Sequence, residues 1–265
     1  MDGGAALSGV GGGAIDARRL HARTPGARPI IEDSGPIRRF VFGAALVIAY
    51  GLLAAVGIRL IMDGALAWWM PVAALGGVAA ADLVSGVVHW AADTWGRGDL
   101  RVIGPALLVP FRVHHVNPDD FRRRRFVDVN GDVALIAAPA LVGLLWLDIG
   151  SPSGGAACAF GAAFCAASML TNQIHQWAHM AAPPRAARVL QACGLIQCPS
   201  AHAAHHDRPY AVHYCITTGW CNRPLEAIGF FRLLERAITT ATGAQARCDD
   251  RRYEQRYTPR VQGDS

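Results

Sequence analysis

The sequence contains no lysine and few charged residues of any kind. All 25 basic residues are arginine, and only 17% of the 265 residues are charged. Soluble domains carry about a quarter charged residues, so this composition excludes an ordinary soluble domain. Hydrophobic residues make up 52% of the chain, which indicates that lipid surrounds a large part of it.

Paired cysteines and the common catalytic motifs are also missing. The seven cysteines include no CxxC pair, which argues against a zinc ribbon, and a reducing cytosol argues against disulfides. The sequence has no HExxH motif, no serine-nucleophile motif and no phosphate-binding loop. Zinc peptidases, serine hydrolases and nucleotide-binding enzymes that depend on those motifs are therefore excluded.

Four long apolar runs predict an all-α fold, an integral membrane bundle of about four transmembrane helices. A transmembrane helix needs about 20 apolar residues. The runs at 40–62, 66–90 and 155–177 reach this length, and the run at 133–147 is shorter. The first run is too long for the core of a secretory signal, so we expect it to stay as a membrane anchor.

The arginines predict the topology of these spans. They are concentrated before the first run and in the connection 91–132, whereas the other two connections contain none. Because positive residues favour the cytoplasmic side, both termini and this connection should face the cytosol, in a bacterial inner membrane. The net charge of +5 follows from this topology, and no nucleic-acid partner is expected. We expect a disordered Gly/Arg-rich cytosolic tail (1–39), a membrane domain (40–240) and a polar C-terminal tail (241–265).

Eight of the ten histidines form four clusters on the predicted cytosolic side, where they would make a histidine-rich cap. Two apolar runs end in HWAAD and HQWAH, and each is followed by a second cluster, HH or HAAHH, which suggests a site built from two halves. The tail residue His21 is not a candidate. The eight candidates are His89, His114, His115, His175, His179, His202, His205 and His206.

Helical spacing brings members of a cluster onto one face. His175 and His179 are four positions apart and therefore neighbours on a helix. The stretch SAHAAHH predicts a helix with Ser200 as its N-cap and Pro209 as its stop. The adjacent pair at 114–115 diverges by about 100° on a helix, which suits one ligand to each of two metals, or one ligand and one orienting residue.

Eight imidazoles with little thiolate or carboxylate suit iron, copper or zinc. A structural zinc site closes with four ligands, so eight ligands indicate two metals. Two irons that activate dioxygen give such a site a chemical purpose at a membrane surface. Two other readings stay open: a haem protein with His89 and His175 or His179 as axial ligands, and a zinc-binding scaffold without catalysis.

Further polar residues are candidates for orienting the ligands or contacting substrate. Asp93 either binds metal or orients His89, and the orienting role is favoured. Asp82 lies inside an apolar run, where a carboxylate is costly, and it predicts a partner on a neighbouring helix. The VNGD stretch at 129–132 is predicted to cap the third span or to contact a headgroup. The candidates of this kind are Asp93, Asn130, Asp132, Asn172, Tyr210 and His213.

The chain resembles the Kua-type lipid desaturase family in five blocks that occur in order between residues 80 and 240. They are DLVSGVVHWAADTWG, PFRVHHVNP, VDVNGD, TNQIHQWAH and HHDRPYAVHYCITTGWCNRPLE. That family includes plasmanylethanolamine desaturases of animals and myxobacteria and a plant chloroplast enzyme that makes trans-3-hexadecenoate on phosphatidylglycerol. The resemblance implies that residues 40–240 form a lipid desaturase domain.

The resemblance implies a membrane enzyme with two iron ions and molecular oxygen as co-substrate. Its ligand positions carry over to the same eight histidines. It implies a phospholipid substrate, with plasmanylethanolamine converted to plasmenylethanolamine as the expected reaction, and an electron donor such as a cytochrome b5-like protein or ferredoxin. The alternative is an acyl desaturase or hydroxylase that acts on another membrane lipid. The arginine run at 122–125 is expected to bind phosphate, to attract an acidic electron carrier, or only to set topology.

The chain departs from the animal pattern of this family at four positions. Ala201 stands where a further histidine precedes His202, and Val113 stands where a glutamate precedes the HH pair. Tyr210 occupies a histidine position, while His213 occupies the position of an aromatic residue. The eight ligand positions survive these differences, whereas the identity of the lipid does not follow from them.

Overall fold

The computed structural model describes residues 34–63, 67–248, 250–251 and 255. Within these residues the fold is all-α, as predicted from the sequence. In chain order the helices are α1 (Pro36–Met62), α2 (Met70–Thr94), α3 (Val109–Val116), α4 (Pro118–Arg122), α5 (Phe126–Leu145), α6 (Pro152–Ala178), α7 (Arg185–Ala192), α8 (Pro199–His205), α9 (Asn222–Ala227) and α10 (Phe230–Thr242). Helices α1, α2, α5 and α6 are long and apolar enough to cross a membrane. The chain is therefore a multi-pass membrane protein.

Both predicted tails lie largely outside the described residues. The tail predicted over 1–39 is described only from Ser34, and α1 already begins at Pro36. Residues 36–39, which were assigned to that tail, thus form the start of α1. The tail predicted over 241–265 begins inside the last turn of α10, which ends at Thr242.

The third span is longer than its apolar run predicts. The VNGD stretch at 129–132 was expected to cap it, but α5 begins at Phe126 and contains this stretch. The Asn130 amide donates a hydrogen bond to the Phe126 carbonyl within the helix at 2.9 Å. Gly131 faces the Phe42 side chain of α1 so closely that a Cβ would collide with it. These two residues face protein and not lipid, which is why a polar stretch can continue the helix.

The four spans pack as two close pairs, α2 with α6 and α1 with α5. Helix α2 approaches α6 most closely at Gly77, where a Cβ would collide with the Phe160 carbonyl oxygen. Arg59, the charged residue near the end of α1, donates to the carbonyls of Leu145 and Leu147 at 2.6 and 2.7 Å. It thereby satisfies acceptors that the end of α5 leaves without an intrahelical partner.

Helix α8, which carries the last histidine cluster, begins two residues before the predicted start. Cys198 occupies the N-cap position that was expected for Ser200, and Pro199 is the first helical residue. Proline favours this position because its fixed φ suits the helix and its missing N–H is not needed there. The helix ends at His205, before Pro209, as the sequence predicts.

Candidate metal centre

The structure brings all eight predicted metal ligands together where α2 and α6 end. They form two groups, and within each group one ligand atom per residue lies within 4.8 Å of all the others. No other such group occurs in the described part of the chain. The first group is His114, His175, His179, His202 and His206, and the second is His89, His114, His115 and His205.

The first group joins the end of α6 to α8. The Nε2 atom of His202 lies 2.9 Å from that of His175 and 2.7 Å from that of His179. The Nε2 atom of His206 lies 3.1 Å from that of His202. Four ring nitrogens from two segments of the chain therefore converge on one volume. Nitrogens around a tetrahedral ion with bonds of about 2.1 Å lie about 3.4 Å apart, so a slight opening of the group would admit an ion.

The second group joins the end of α2 to α3 and α8. The Nε2 atoms of His115 and His205 lie 3.0 Å apart, and the rings of His89 and His205 are 4.4 Å apart between centroids. His114 belongs to both groups, and its ring centroid lies 4.3 Å from that of His115. The adjacent pair is therefore not simply divided between the groups, because His115 belongs to the second group alone and His114 to both.

Backbone carbonyls fix which nitrogen of several rings faces the centre. The Nδ1 atom of His89 lies 3.1 Å from the Tyr214 carbonyl oxygen, and that of His205 lies 2.6 Å from the Val212 carbonyl oxygen. A carbonyl only accepts, so each Nδ1 carries the proton and donates it. In a neutral ring Nε2 then has a free lone pair directed into the centre. This arrangement is typical of metal-binding histidines, whose second nitrogen is held by a carbonyl or carboxylate.

Burial favours the neutral form of four of these imidazoles, namely His114, His115, His202 and His206. Removal from water lowers the pKa of His114 to about 3. Burial also lowers the pKa values of His115, His202 and His206 well below the usual 6.5, with repulsion from neighbouring imidazoles as a further cause. A ring that is neutral at pH 7 has a lone pair for a metal without first losing a proton.

The donor set fits a pair of first-row transition-metal ions. Lone pairs that face one another repel, and the buried Nε2 atoms of His89 and His114 have no hydrogen-bond partner among the described residues. A cation in each group would satisfy these nitrogens together. Imidazole donors suit zinc, copper, iron and nickel, so the two groups of rings could each hold an ion of this kind, and their chemistry does not select the element.

Two of the further candidates lie beside the second group. Asp93 has an oxygen 3.2 Å from His89 Nε2. It therefore lies on the metal-facing side of His89, and the orienting position that the sequence favoured for it belongs to the Tyr214 carbonyl. Tyr210 stacks on His115 with 4.5 Å between ring centroids.

The remaining candidates lie away from the two groups. The Asn172 amide donates to the Val129 carbonyl and ties α6 to α5. The Asp132 side chain accepts from the next backbone N–H, and Asn130 bonds within α5. The backbone N–H of His213 donates to Glu226, and its ring Nε2 lies 3.6 Å from the other Glu226 oxygen.

Asp82 supports the centre from a distance, and its partners are in a loop and not on a neighbouring helix. Its Oδ1 accepts from the backbone N–H groups of Thr217, Thr218 and Gly219 at 3.2, 2.8 and 2.9 Å. Its Oδ2 accepts from the Cys221 N–H at 3.0 Å. This buried carboxylate thus holds the segment that directly follows the carbonyls behind His89 and His205. An acidic residue in an apolar run was the sequence signal for it.

Comparison with known proteins gives one family. A model of the lipid desaturase domain matches residues 78–249. A plasmanylethanolamine desaturase of Myxococcus xanthus is 44% identical over 69% of this chain and 65% of that protein. Plasmanylethanolamine desaturase 1 of Mus musculus is 36% identical over 91% of this chain and 92% of that protein. Chloroplastic fatty acid desaturase 4 of Arabidopsis thaliana is 33% identical over 63% of this chain and 51% of that protein. No solved structure matches.

Proposed function

The chain belongs to the lipid desaturase family, and on that premise we propose that it converts plasmanylethanolamine into the vinyl ether plasmenylethanolamine. As a lipid desaturase it is an oxidoreductase that removes two hydrogens from adjacent carbons. The choice of substrate is supported by the names of the two relatives that are 44% and 36% identical to it. The relatives named as fatty acid desaturases are less similar, at 28% to 33% identity.

The single observation that carries this proposal is the gathering of eight imidazoles into two groups that share His114. We infer that each group holds one iron ion. When bound, the two irons would supply the activation of dioxygen and the removal of hydrogen from an unactivated carbon. The protein itself contributes the geometry, because carbonyls hold the rings of His89 and His205 with Nε2 turned inward.

The depth of the histidines favours a substrate carbon close to the headgroup. His89 lies five residues before the end of α2 and His175 three residues before the end of α6. At 1.5 Å per residue, these rings sit within about 8 Å of the helix ends and far from the middle of a bilayer. Carbons 1 and 2 of an ether chain are at that depth, which supports vinyl ether formation.

The topology is part of the same proposal. Arg38 and Arg39 lie at the start of α1, and Arg97 and Arg101 lie just after α2. Since positive residues favour the cytoplasmic side, the histidines would open to the cytosol of a bacterial inner membrane. Dioxygen that is reduced to two waters takes up the two substrate hydrogens, two protons and two electrons, so an electron carrier must reach this side.

An acidic carrier, either a cytochrome b5-like protein or a ferredoxin, fits the charge of this side. Arg122 is bound to Asp119 at 2.6 Å. Arg123 lies 3.8 Å from the same carboxylate and, like Arg125, is exposed. Exposed arginines form a positive surface that attracts an acidic protein and raises its rate of association. We expect association to weaken at high salt, because screening shortens the reach of these charges.

Lipid analysis tests the function. The chain is expressed in a host that has no vinyl ethers and is supplied with an alkyl-ether phosphatidylethanolamine. We expect a product lighter by two hydrogens that releases an aldehyde in acid, as a vinyl ether does. A product heavier by one oxygen would instead identify a hydroxylase, and a Soret band in the pure protein would identify a haem protein. A His206→Ala variant at equal membrane abundance is the matched control and should give no product.

A further inference from the structure

Asp93 lies in the last turn of α2 and is buried among three histidines of the second group. One of its oxygens, Oδ2, is 3.2 Å from His89 Nε2, 3.5 Å from His205 Nε2 and 3.6 Å from His115 Nε2. The side chain is only 3% exposed. A carboxylate oxygen therefore occupies the same small volume as the three ring nitrogens.

Hydrogen bonding does not explain this arrangement. His89 and His205 each carry the proton on Nδ1, since Nδ1 donates to a backbone carbonyl. The Nε2 atom of His89 is then an acceptor, and so are both oxygens of an ionised carboxylate. Neither the His89 Nε2 atom nor an Asp93 oxygen has a hydrogen-bond partner within the described part of the chain. Two acceptors that face each other at 3.2 Å repel unless a cation lies between them.

The nearby arginines bind other acceptors. Arg112 donates from Nε to the Ala92 carbonyl and from Nη2 to the Trp95 carbonyl, at 3.1 and 3.0 Å. Arg247 forms a pair of hydrogen bonds with Glu235, at 2.9 and 3.0 Å. These four hydrogen bonds end on other acceptors, and the two arginines act on the Asp93 carboxylate through their charge. A buried carboxylate is costly unless positive charge lies close to it, and a metal ion in contact with Oδ2 would add to the charge of the two arginines.

We propose that Asp93 is itself a ligand of the second metal ion, as the anionic member of a centre otherwise made of imidazoles. The second site is then His89, His115, His205 and Asp93, while His114 completes the first. The inference rests on the proposed pair of metals. It adds that the two metal sites have different ligands. The carboxylate lowers the net charge of the second ion, so this ion should be bound more strongly than three neutral rings alone could bind it.

A cavity touches the second site. It is lined by His115, Tyr210, Arg247, Asp250 and Asp93 itself. Four protein ligands and one open side are typical of an ion that exchanges a further ligand with solvent.

Metal titration of the purified full chain in detergent tests the inference. The metal-free protein is titrated with Co²⁺ without oxygen, and the visible absorption of bound Co²⁺ is followed. Wild-type protein should bind two equivalents. Asp93→Asn should bind the first equivalent as before and the second at least about 10-fold more weakly, within the range seen when groups around a metal are removed. Asp93→Glu keeps the charge and should restore part of the loss.

Two further measurements separate a ligand from a structural carboxylate. Asp99→Asn removes the same charge from an exposed pair with Arg97 and should leave both equivalents unchanged. In the metal-free state, Asp93→Asn should melt at the same temperature as the wild type or higher, because it removes a buried charge that has no hydrogen bond. A lower melting temperature or failure to fold would overturn the inference.

The two proposals fail in different ways. If Asp93→Asn binds both equivalents with unchanged affinity while His115→Ala loses one, Asp93 is not a ligand and the pair of metals stands. If the wild-type protein binds fewer than two equivalents, the pair of metals on which the proposed function rests is itself contradicted.

Discussion

The Nε2 atoms of His179 and His202 lie 2.7 Å apart, although His179 directly follows α6 and His202 lies in the middle of α8. This contact joins the end of a transmembrane helix to the cap that folds over it. Because each half of the centre draws ligands from both regions, the site exists only when the cap is folded back onto the bundle. Predictions about the centre are therefore also predictions about the segments that hold the cap in place.

His202 is buried at the centre of the first group, with three other Nε2 atoms within 3.1 Å of its own. We expect His202→Ala to abolish product formation and to lower iron content by about half, while the protein still inserts into the membrane. Iron content and lipid product are measured on membranes with equal amounts of protein. His213→Ala is the control, because this ring pairs with Glu226 outside the two groups, and it should retain most of both signals.

Tyr210 supports the second group through its ring. Stacking on His115 at 4.5 Å between centroids restricts the orientation of that imidazole. Tyr210→Ala should lower the turnover number several-fold with a smaller effect on the apparent affinity for lipid, whereas Tyr210→Phe keeps the ring and should stay close to wild type. Equal losses in the two variants would show that the hydroxyl matters and that stacking does not.

Asp82 holds four backbone N–H groups in a buried loop. In Asp82→Ala these donors lose their acceptor, and each buried donor without a partner costs about 1–3 kcal/mol. We expect a loss of stability of several kcal/mol, and iron binding should weaken as well because the segment behind His89 and His205 loosens. Thermal unfolding in detergent and iron content measure the two effects. Unchanged iron content in a destabilised protein would contradict the link between this loop and the centre.

The close contact of α2 with α6 depends on Gly77. In Gly77→Ala the new Cβ meets the Phe160 carbonyl oxygen, which is backbone and cannot turn aside. We expect a loss of about 1–3 kcal/mol, the usual cost of overpacking, together with lower activity, because His89 and His175 lie on these two helices. Gly51→Ala in α1 is the matched control, since a Cβ there meets nothing within 4 Å, and its melting temperature should not fall.

The fold class, the family and the positions that gather at the centre could all be predicted from the sequence. Long apolar runs indicate membrane spans because lipid surrounds such helices. Eight imidazoles in four clusters indicate a metal site because few other functions need so many. The family predicted from the five sequence blocks is confirmed by the match over residues 78–249. The role of the eight histidines as ligands remains a prediction that metal analysis will test.

Other features of the site and the fold could not be predicted from the sequence. The carbonyls of Val212 and Tyr214 orient two rings, but every residue has a carbonyl, so only the folded chain selects these two. The start of α5 at Phe126 was missed because hydropathy alone cannot tell that Asn130 is buried against protein. Asp82 was noticed as costly in lipid, yet its partners are backbone groups of a distant loop that no residue type identifies.

The iron content of the pure protein tests the central claim most directly. The full chain is loaded with Fe²⁺ without oxygen, freed of unbound metal, and measured for iron and zinc per chain, with Mössbauer spectra to count distinct iron sites. We predict two irons per chain, one for each group of histidines, in two different environments. A single zinc with no iron would contradict the account.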